Sequence, residues 1–147
     1  VALSADDRTV YRAGVAIVEG NAIRLPGWSL AAARTEGIFI GNCESAIVDE
    51  NMVIVGGGVN SEPSIAADGI RAGGAFGARL LIRGNHVDAA IAGIRVEPIG
   101  APPPHMRRWV ASDNVNLGGA CLEAPCEVME DANVPARVAA CAGDRPI

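Results

Sequence analysis

The stretch AIVDENMV, residues 46 to 53, places a polar turn between two short apolar runs. Three other segments share its pattern of three apolar residues, two turn-forming residues, an asparagine, any residue and a mostly apolar position. They are AIVEGNAI (16 to 23), LLIRGNHV (80 to 87) and WVASDNVN (109 to 116). Their asparagines are Asn21, Asn51, Asn85 and Asn114, at intervals of 30, 34 and 29 residues. Such a period is typical of a solenoid in which each repeat forms one coil.

A second short element lies between these segments. Its copies are GIFI (37 to 40), GIRA (69 to 72), GIRV (93 to 96) and a weaker GACL (119 to 122). Two strand-like segments per period, bounded by Gly or Asn, predict β-solenoid coils. The turn between them needs a residue that tolerates the left-handed backbone region, and we assign that role to the asparagine. Coils stacked about 4.8 Å apart would then join the four side-chain amides in one ladder.

The composition is compatible with such a fold. Half of the 147 residues are hydrophobic but only five are aromatic, which predicts a core of small aliphatic side chains. The length is that of one domain. Eighteen glycines and nine prolines interrupt the chain, yet its apolar content is too high for a disordered segment.

Charge and cysteine content narrow the range of partners. The net charge is −5 and all 12 basic residues are arginines, so neither nucleic acid nor an anionic membrane is expected as a partner. No apolar run reaches the roughly 18 residues of a membrane span. Four irregularly spaced cysteines and two histidines predict no disulfide scaffold and no metal site, while bridging of a single cysteine pair stays open. No cofactor is expected.

The alternation of G-I-x-[IV] with [IV]-x-x-N-x-[IV] resembles the repeat of right-handed parallel β-helix proteins, the group of pectate-lyase-like enzymes and phage tailspike-type proteins. The resemblance covers residues 15 to 122 and implies an all-β solenoid of about four coils over residues 1–122. Residues 123–147 depart from the pattern and are expected to form a cap or non-repeat tail. Asn116 also departs, because it stands where an apolar residue is expected.

A solenoid of this length has open ends, which expose unpaired strand edges unless they are covered. The sequence also begins at Val1, without an initiator methionine. We therefore expect a larger parent chain or an oligomer around this piece.

By the same resemblance, the G-I strand is the first sheet of each coil, the apolar triplet is the second, and the residues after the asparagine are the third. Alternation then places Phe39, Arg71 and Arg95 on the outer face of the first sheet, where the related enzymes bind their polymer. With Trp28 in a flanking loop, these are candidate ligand-binding residues for an acidic polysaccharide, since guanidinium groups bind carboxylates and aromatic rings stack on sugars. The alternative is that both arginines pair with neighbouring acids.

Three acids near this face are candidate catalytic residues: Glu36, Asp68 and Glu97. Two carboxylates can hydrolyse a glycosidic bond, and an acid with an arginine base can eliminate a uronide. The alternative is that these acids have no catalytic role and are polar residues at strand ends. Whether the protein is an enzyme stays open at this point.

The apolar triplets predict a feature of the second sheet. By the family's register Val18, Val48, Ile82 and Ala111 point inward. The outward residues are then Ile17, Ile47, Leu81 and Val110, an apolar stripe across four coils. A stripe of that length marks an interaction surface, although single exposed aliphatic residues are common. We expect identical copies, as a homo-oligomeric trimer, or another part of the parent chain to cover it.

Two classes of function follow. The first is a non-catalytic β-helix module of a larger extracellular, cell-surface or virion-associated protein, which is structural, with or without carbohydrate contact. The alternative is a fragment of a polysaccharide lyase or glycoside hydrolase that acts on an acidic polysaccharide. A cleft with two converging acids, or an acid beside Arg71 or Arg95, would favour the enzyme, whereas a flat first sheet would favour the module.

Overall fold

The computed structural model describes residues 2–4, 13–25, 35–55, 67–89, 92–98, 108–118, 120–124 and 128–135. Regular structure in these residues consists of β-strands, and every pairing between the strands is parallel. In chain order they are β1 (Ala2–Ser4), β2 (Ala13–Glu19), β3 (Ala22–Leu25), β4 (Thr35–Asp49), β5 (Met52–Val55), β6 (Ala67–Arg83), β7 (His86–Ala89), β8 (Ala92–Pro98), β9 (Arg108–Ser112), β10 (Val115–Asn116), β11 (Ala120–Glu123) and β12 (Met129–Asp131).

The strands stack in three parallel sheets. The first sheet contains β1, the first part of β4, the first part of β6, β8 and β11. The second contains β2, the later parts of β4 and β6, β9 and β12, and the third contains β3, β5, β7 and β10. Strands β4 and β6 belong to two sheets because each continues through register shifts from the first sheet into the second. The predicted all-β class with stacked parallel strands is confirmed, and it is compatible with a β-helix solenoid.

The core lies between the sheets and consists of columns of inward side chains. One residue from each coil contributes to a column, because the strands pair in register. One column in the first sheet is Ile38, Ile70, Ile94 and Leu122, and one in the second is Val18, Val48, Ile82 and Ala111, all of them buried. Trp109 is the large exception in a core of otherwise small side chains.

The glycine of each G-I element is required by close packing against the third sheet. A Cβ atom on Gly69 would lie 2.1 Å from Val87 Cγ1 and 2.7 Å from the carbonyl oxygen of Gly93. A Cβ on Gly37 would lie 2.2 Å from Val53 Cγ1. The repeated glycine therefore lets the third strand of a coil pack against the start of its first strand.

The asparagines that recur after the second sheet form a ladder at one corner. Each except the last donates a hydrogen bond from Nδ2 to the side-chain Oδ1 of the asparagine in the next coil, over 2.9 to 3.0 Å. The members are Asn21, Asn51, Asn85, Asn114 and Asn133, and we call them the asparagine ladder. All but the first are buried.

The left-handed residue at this corner is not the asparagine. Positive φ angles between 51° and 65° occur one residue earlier, at Gly20, Glu50, Gly84, Asp113 and Ala132. Our assignment of that conformation to the asparagine is wrong. The reversal occurs at a position that is largely exposed, where several residue types are tolerated, whereas the asparagine points inward to hydrogen-bond along the stack.

The stack continues beyond residue 122, the last residue predicted for the coils. Strand β12 pairs with β9 and places Met129 beside Val110. The Oδ1 of Asn133 accepts a hydrogen bond from Nδ2 of Asn114. The sequence pattern did not predict this level of the stack, because Glu130 stands at the register position that an apolar residue occupies in the other coils. Residues 123–147, expected as a cap or tail, therefore begin with another level of the stack.

Asn116, the polar residue at an expected apolar position, is accommodated by hydrogen bonds. It lies in register with Val87 and Val53 of the third sheet and is buried. Its Nδ2 donates to the carbonyl oxygen of Ala120 (2.9 Å) and its Oδ1 accepts from the backbone N–H of Ala89 (3.1 Å). A satisfied amide costs little in a core, so the column continues through it.

Candidate functional site

The first-sheet candidates lie together on the outer face of that sheet. Phe39 is in register with Arg71, and Arg71 with Arg95. Cβ atoms on Gly41 and Gly73 would lie 3.1 and 3.2 Å from the Phe39 ring, so the ring covers both glycines. The Arg71 guanidinium carbon is 5.8 Å from the ring centroid, within cation–π distance. Phe39 is thus packed against the sheet on one side and lies beside a cation on the other.

Arg71 binds two of the three candidate catalytic acids. Its Nη1 donates to Glu36 Oε1 over 2.8 Å, while Nε and Nη2 donate to Glu97 Oε2 over 3.1 and 2.8 Å. Burial by itself lowers the pKa of Arg71, but the hydrogen bonds to Glu36 and Glu97 outweigh it and raise the pKa above its usual value. The guanidinium stays charged, and its hydrogen-bonding edges are turned toward protein carboxylates.

Arg95 binds the third acid. Its Nε lies 3.0 Å from both carboxylate oxygens of Asp68, and its Nη1 lies 3.7 Å from Glu97 Oε1. The Asp68 side chain is only 1% exposed, so Arg95 supplies a positive charge to a buried carboxylate. Glu97 links the two arginines, which makes the five groups one network.

We call this network the charged face; it consists of Glu36, Asp68, Arg71, Arg95 and Glu97. Among the described residues, two cations face three carboxylates, so these five groups together carry a negative formal charge. An acidic sugar would have to compete with these carboxylates for both guanidinium groups, in a setting where like charges repel it. All predicted residues of this site except Trp28 lie together; Trp28 falls outside the described residues.

The described residues contain neither a metal-binding cluster nor a cysteine with a lowered pKa. No set of three His, Cys, Asp or Glu side chains among them could hold a metal ion. Cys43 and Cys121 carry buried free thiols. Burial raises the pKa of Cys121 to about 11, so its thiol stays protonated at neutral pH and is a poor nucleophile. Cys126 and Cys141 lie outside the described residues.

The apolar stripe of the second sheet occupies a single outward column. Ile17, Ile47, Leu81 and Val110 pair in register, and Met129 adds a fifth member that sequence reasoning missed. We call these five residues the second-sheet stripe. The two end members are 58% and 59% exposed, and the three between them are half-buried.

Sequence reasoning also missed a shallow apolar groove on the third sheet. It is lined by Met52, Ile54, Val115 and Leu117, with His86 among its polar residues. Met52 and Leu117 are among the exposed large hydrophobic residues. The available signal was alternation after each asparagine, since Met52, His86 and Val115 share one outward column.

Comparison of the chain with protein-family models, with curated proteins and with solved structures gave no match in any of the three. Nothing within the described ranges forms a helix with the length and hydropathy of a membrane span.

Proposed function

We propose that this chain is a structural, non-catalytic module, a right-handed parallel β-helix of five coils within a larger extracellular, cell-surface or virion-associated protein. The handedness is supported by the strong right-handed preference of parallel crossover connections. The number of coils is supported by the five asparagines of the ladder, one per level. The setting is that of the β-helix proteins that the repeat resembles.

One observation carries the non-catalytic part of the proposal. Each of the three candidate catalytic acids is hydrogen-bonded to one of the two candidate binding arginines. A catalytic pair of carboxylates needs room for substrate between them, and a binding arginine needs a free edge. In the charged face these groups satisfy one another, as expected for a surface that holds adjacent coils in register.

A panel of acidic polysaccharides tests this proposal. Polygalacturonate, alginate and a sulfated glycan would be incubated with the wild type, and unsaturated uronides and new reducing ends would be measured. We expect no turnover of any polymer. Turnover that is lost in Glu36→Gln or Asp68→Asn would overturn the proposal and establish the lyase or hydrolase fragment instead.

Binding is measured on the same panel, because a structural module can still contact carbohydrate. We expect the Arg71→Ala/Arg95→Ala variant to bind these polymers no more weakly than the wild type. A loss of affinity confined to this variant, with Arg83→Ala as the matched control, would make the charged face a carbohydrate-contacting site.

The proposal includes a partner for the second-sheet stripe, namely identical copies arranged as a trimer or another part of the parent chain. Its support is the length of the stripe, since contiguous apolar columns on soluble proteins commonly mark interfaces. Leu81→Glu places a charge at the centre of the stripe, and His86→Glu places one on the third sheet as a control. We expect only Leu81→Glu to change the oligomeric mass or the solubility measured by light scattering; no change of either property in both variants would remove this part of the proposal.

A further inference from the structure

Every interior asparagine of the ladder makes its hydrogen bonds to the neighbouring asparagines in the same direction. The backbone N–H and the Nδ2 of Asn85 donate to Asn114 Oδ1 over 3.0 and 2.9 Å. The Oδ1 of Asn85 accepts the corresponding two bonds from Asn51, over 3.0 and 2.9 Å. The donors of the bonds between asparagines therefore point toward the C-terminal coils and the acceptors toward the N-terminal coils, while the other Nδ2 hydrogen of Asn85 donates to the carbonyl oxygen of Val48 in the preceding coil over 3.0 Å.

The C-terminal end of the ladder has donors left over. Asn133 accepts both bonds from Asn114, over 3.0 and 2.9 Å, and donates one Nδ2 hydrogen to the carbonyl oxygen of Ala111 over 2.9 Å. Its backbone N–H and second Nδ2 hydrogen, which elsewhere bind the next asparagine, meet no acceptor among the described residues. Asn133 is only 4% exposed, and buried donors are normally satisfied.

The N-terminal end of the ladder has a hydrogen-bond acceptor left over. Asn21 donates its backbone N–H and Nδ2 to Asn51 Oδ1, each over 3.0 Å, but within the described ranges its own Oδ1 accepts no hydrogen bond. The inward residues of this first coil, Ile23 and Leu25, are half-buried, whereas Val53 in the next coil is fully buried. This end therefore presents an acceptor beside partly exposed core residues.

We propose that a second copy of the chain stacks head to tail on the first, with Asn133 of one copy donating to Asn21 Oδ1 of the next. The bond repeats the geometry already present between successive coils, and the outward column of the third sheet continues from Val134 of one copy to Ala22 of the next. Because the two contacting surfaces differ, the association is heterologous and extends into a filament.

Glu130 limits this association. It lies in register with Ala111 in an inward column, and in the stack it faces Val18 of the next copy. Bringing a carboxylate against apolar residues costs free energy, and inward charges are a known means of restraining edge-to-edge growth. The ladder thus favours stacking while Glu130 keeps it weak. This inference concerns the ends of the coils and is independent of whether the charged face is catalytic.

Disulfide trapping tests the stack directly. Ala22→Cys and Val134→Cys would be combined in a background of Leu81→Glu, Cys126→Ser and Cys141→Ser, which removes lateral contacts and stray thiols. Stacked copies bring the two positions to about the 4.8 Å spacing of neighbouring strands, within disulfide range. Mild oxidation should give a ladder of covalent multimers. The matched pair Met52→Cys/Val134→Cys, one coil further apart, should give none.

Sedimentation at a series of concentrations, in the Leu81→Glu background, gives the second readout. We expect Glu130→Val to strengthen association about tenfold and Asn21→Ala to weaken it about tenfold, corresponding to one interfacial group each. Filaments of Glu130→Val should show an axial repeat of about 24 Å, five strand spacings. Equal cross-linking of both cysteine pairs, or a constant mass that Glu130→Val leaves unchanged, would overturn the proposal.

Discussion

The asparagine ladder and the charged face both stack polar side chains from successive coils, but they are built in opposite ways. In the ladder one residue type repeats, and each amide donates to one neighbour and accepts from the other, away from water. On the charged face two like charges stack, and acids from other columns neutralise them at a partly exposed surface. A repeated amide can pair with itself because it has both a donor and an acceptor. An arginine has donors only, so it needs a different residue beside it.

The largest effect is expected within the ladder. Asn85→Ala removes the acceptor for the backbone N–H and Nδ2 of Asn51, which are buried. The free energy of unfolding, measured by chemical denaturation, should fall by about 2 to 4 kcal/mol, the cost of unsatisfied buried donors. Asn21→Ala is the control, because it removes an end member that is half-buried, and it should cost less than half as much. Equal losses in the two variants would contradict a cooperative ladder.

The charged face should respond less, and mostly through its one buried member. Arg95→Met removes the cation that pairs with Asp68. Breaking a fully buried ion pair costs about 3 to 5 kcal/mol, and since Arg95 is partly exposed we expect about 1 to 3 kcal/mol here. Adding Asp68→Asn should restore part of the loss. No recovery in the double variant would mean that the carboxylate was not the source of the cost.

At the C-terminal end of the ladder, the Cys121 thiol is expected to make the free energy of unfolding depend on pH. Cys121 donates its thiol proton to the carbonyl oxygen of Asn114, and burial raises its pKa from 9.0 to about 11. Above pH 9 the unfolded chain loses this proton while the folded chain keeps it, so stability falls as pH rises toward 11. The loss from this group should be about 1 kcal/mol between pH 9 and pH 10. Cys121→Ala should flatten that part of the stability profile, and an unchanged slope would show that the thiol is accessible.

The smallest effect is expected at an ion pair outside both regions, in which the arginine is exposed although its partner Asp49 is buried. Arg83 hydrogen-bonds to Asp49, which raises the pKa of Arg83, but its side chain is 51% exposed. Solvent and salt screen such pairs. Arg83→Ala should leave the unfolding midpoint unchanged within error. A shift comparable to that of Arg95→Met would show that exposure is not what separates the two pairs.

The repeat allowed the stacking to be predicted, because a column needs only one residue type at a regular interval. The asparagines and the apolar triplets provided this signal. The left-handed position was not predicted, because Gly20, Glu50 and Ala132 share no residue type that a sequence pattern could detect. Asn133 escaped because it follows Asn114 by only 19 residues and Glu130 interrupts the triplet before it.

The charged face was predicted in its members but not in its connections. Alternation was enough to place Arg71 and Arg95 in one column. The sequence did not show which acid each arginine would reach, because Glu36 and Glu97 come from coils on either side of Arg71 and meet it only through the inter-coil register. The spacing of residues along the chain determines which of them stack in one column. Contacts between columns depend in addition on the length and conformation of the side chains.

Hydrogen exchange of the asparagine side-chain amides, followed by NMR, tests the central claim most directly. If the ladder holds the coils together, the Nδ2 protons of Asn51, Asn85 and Asn114 will exchange as slowly as the backbone amides of the buried strands, and those of Asn21 will exchange faster. Rapid exchange of all four side chains in a folded, cooperatively unfolding protein would contradict the ladder and the module proposed from it.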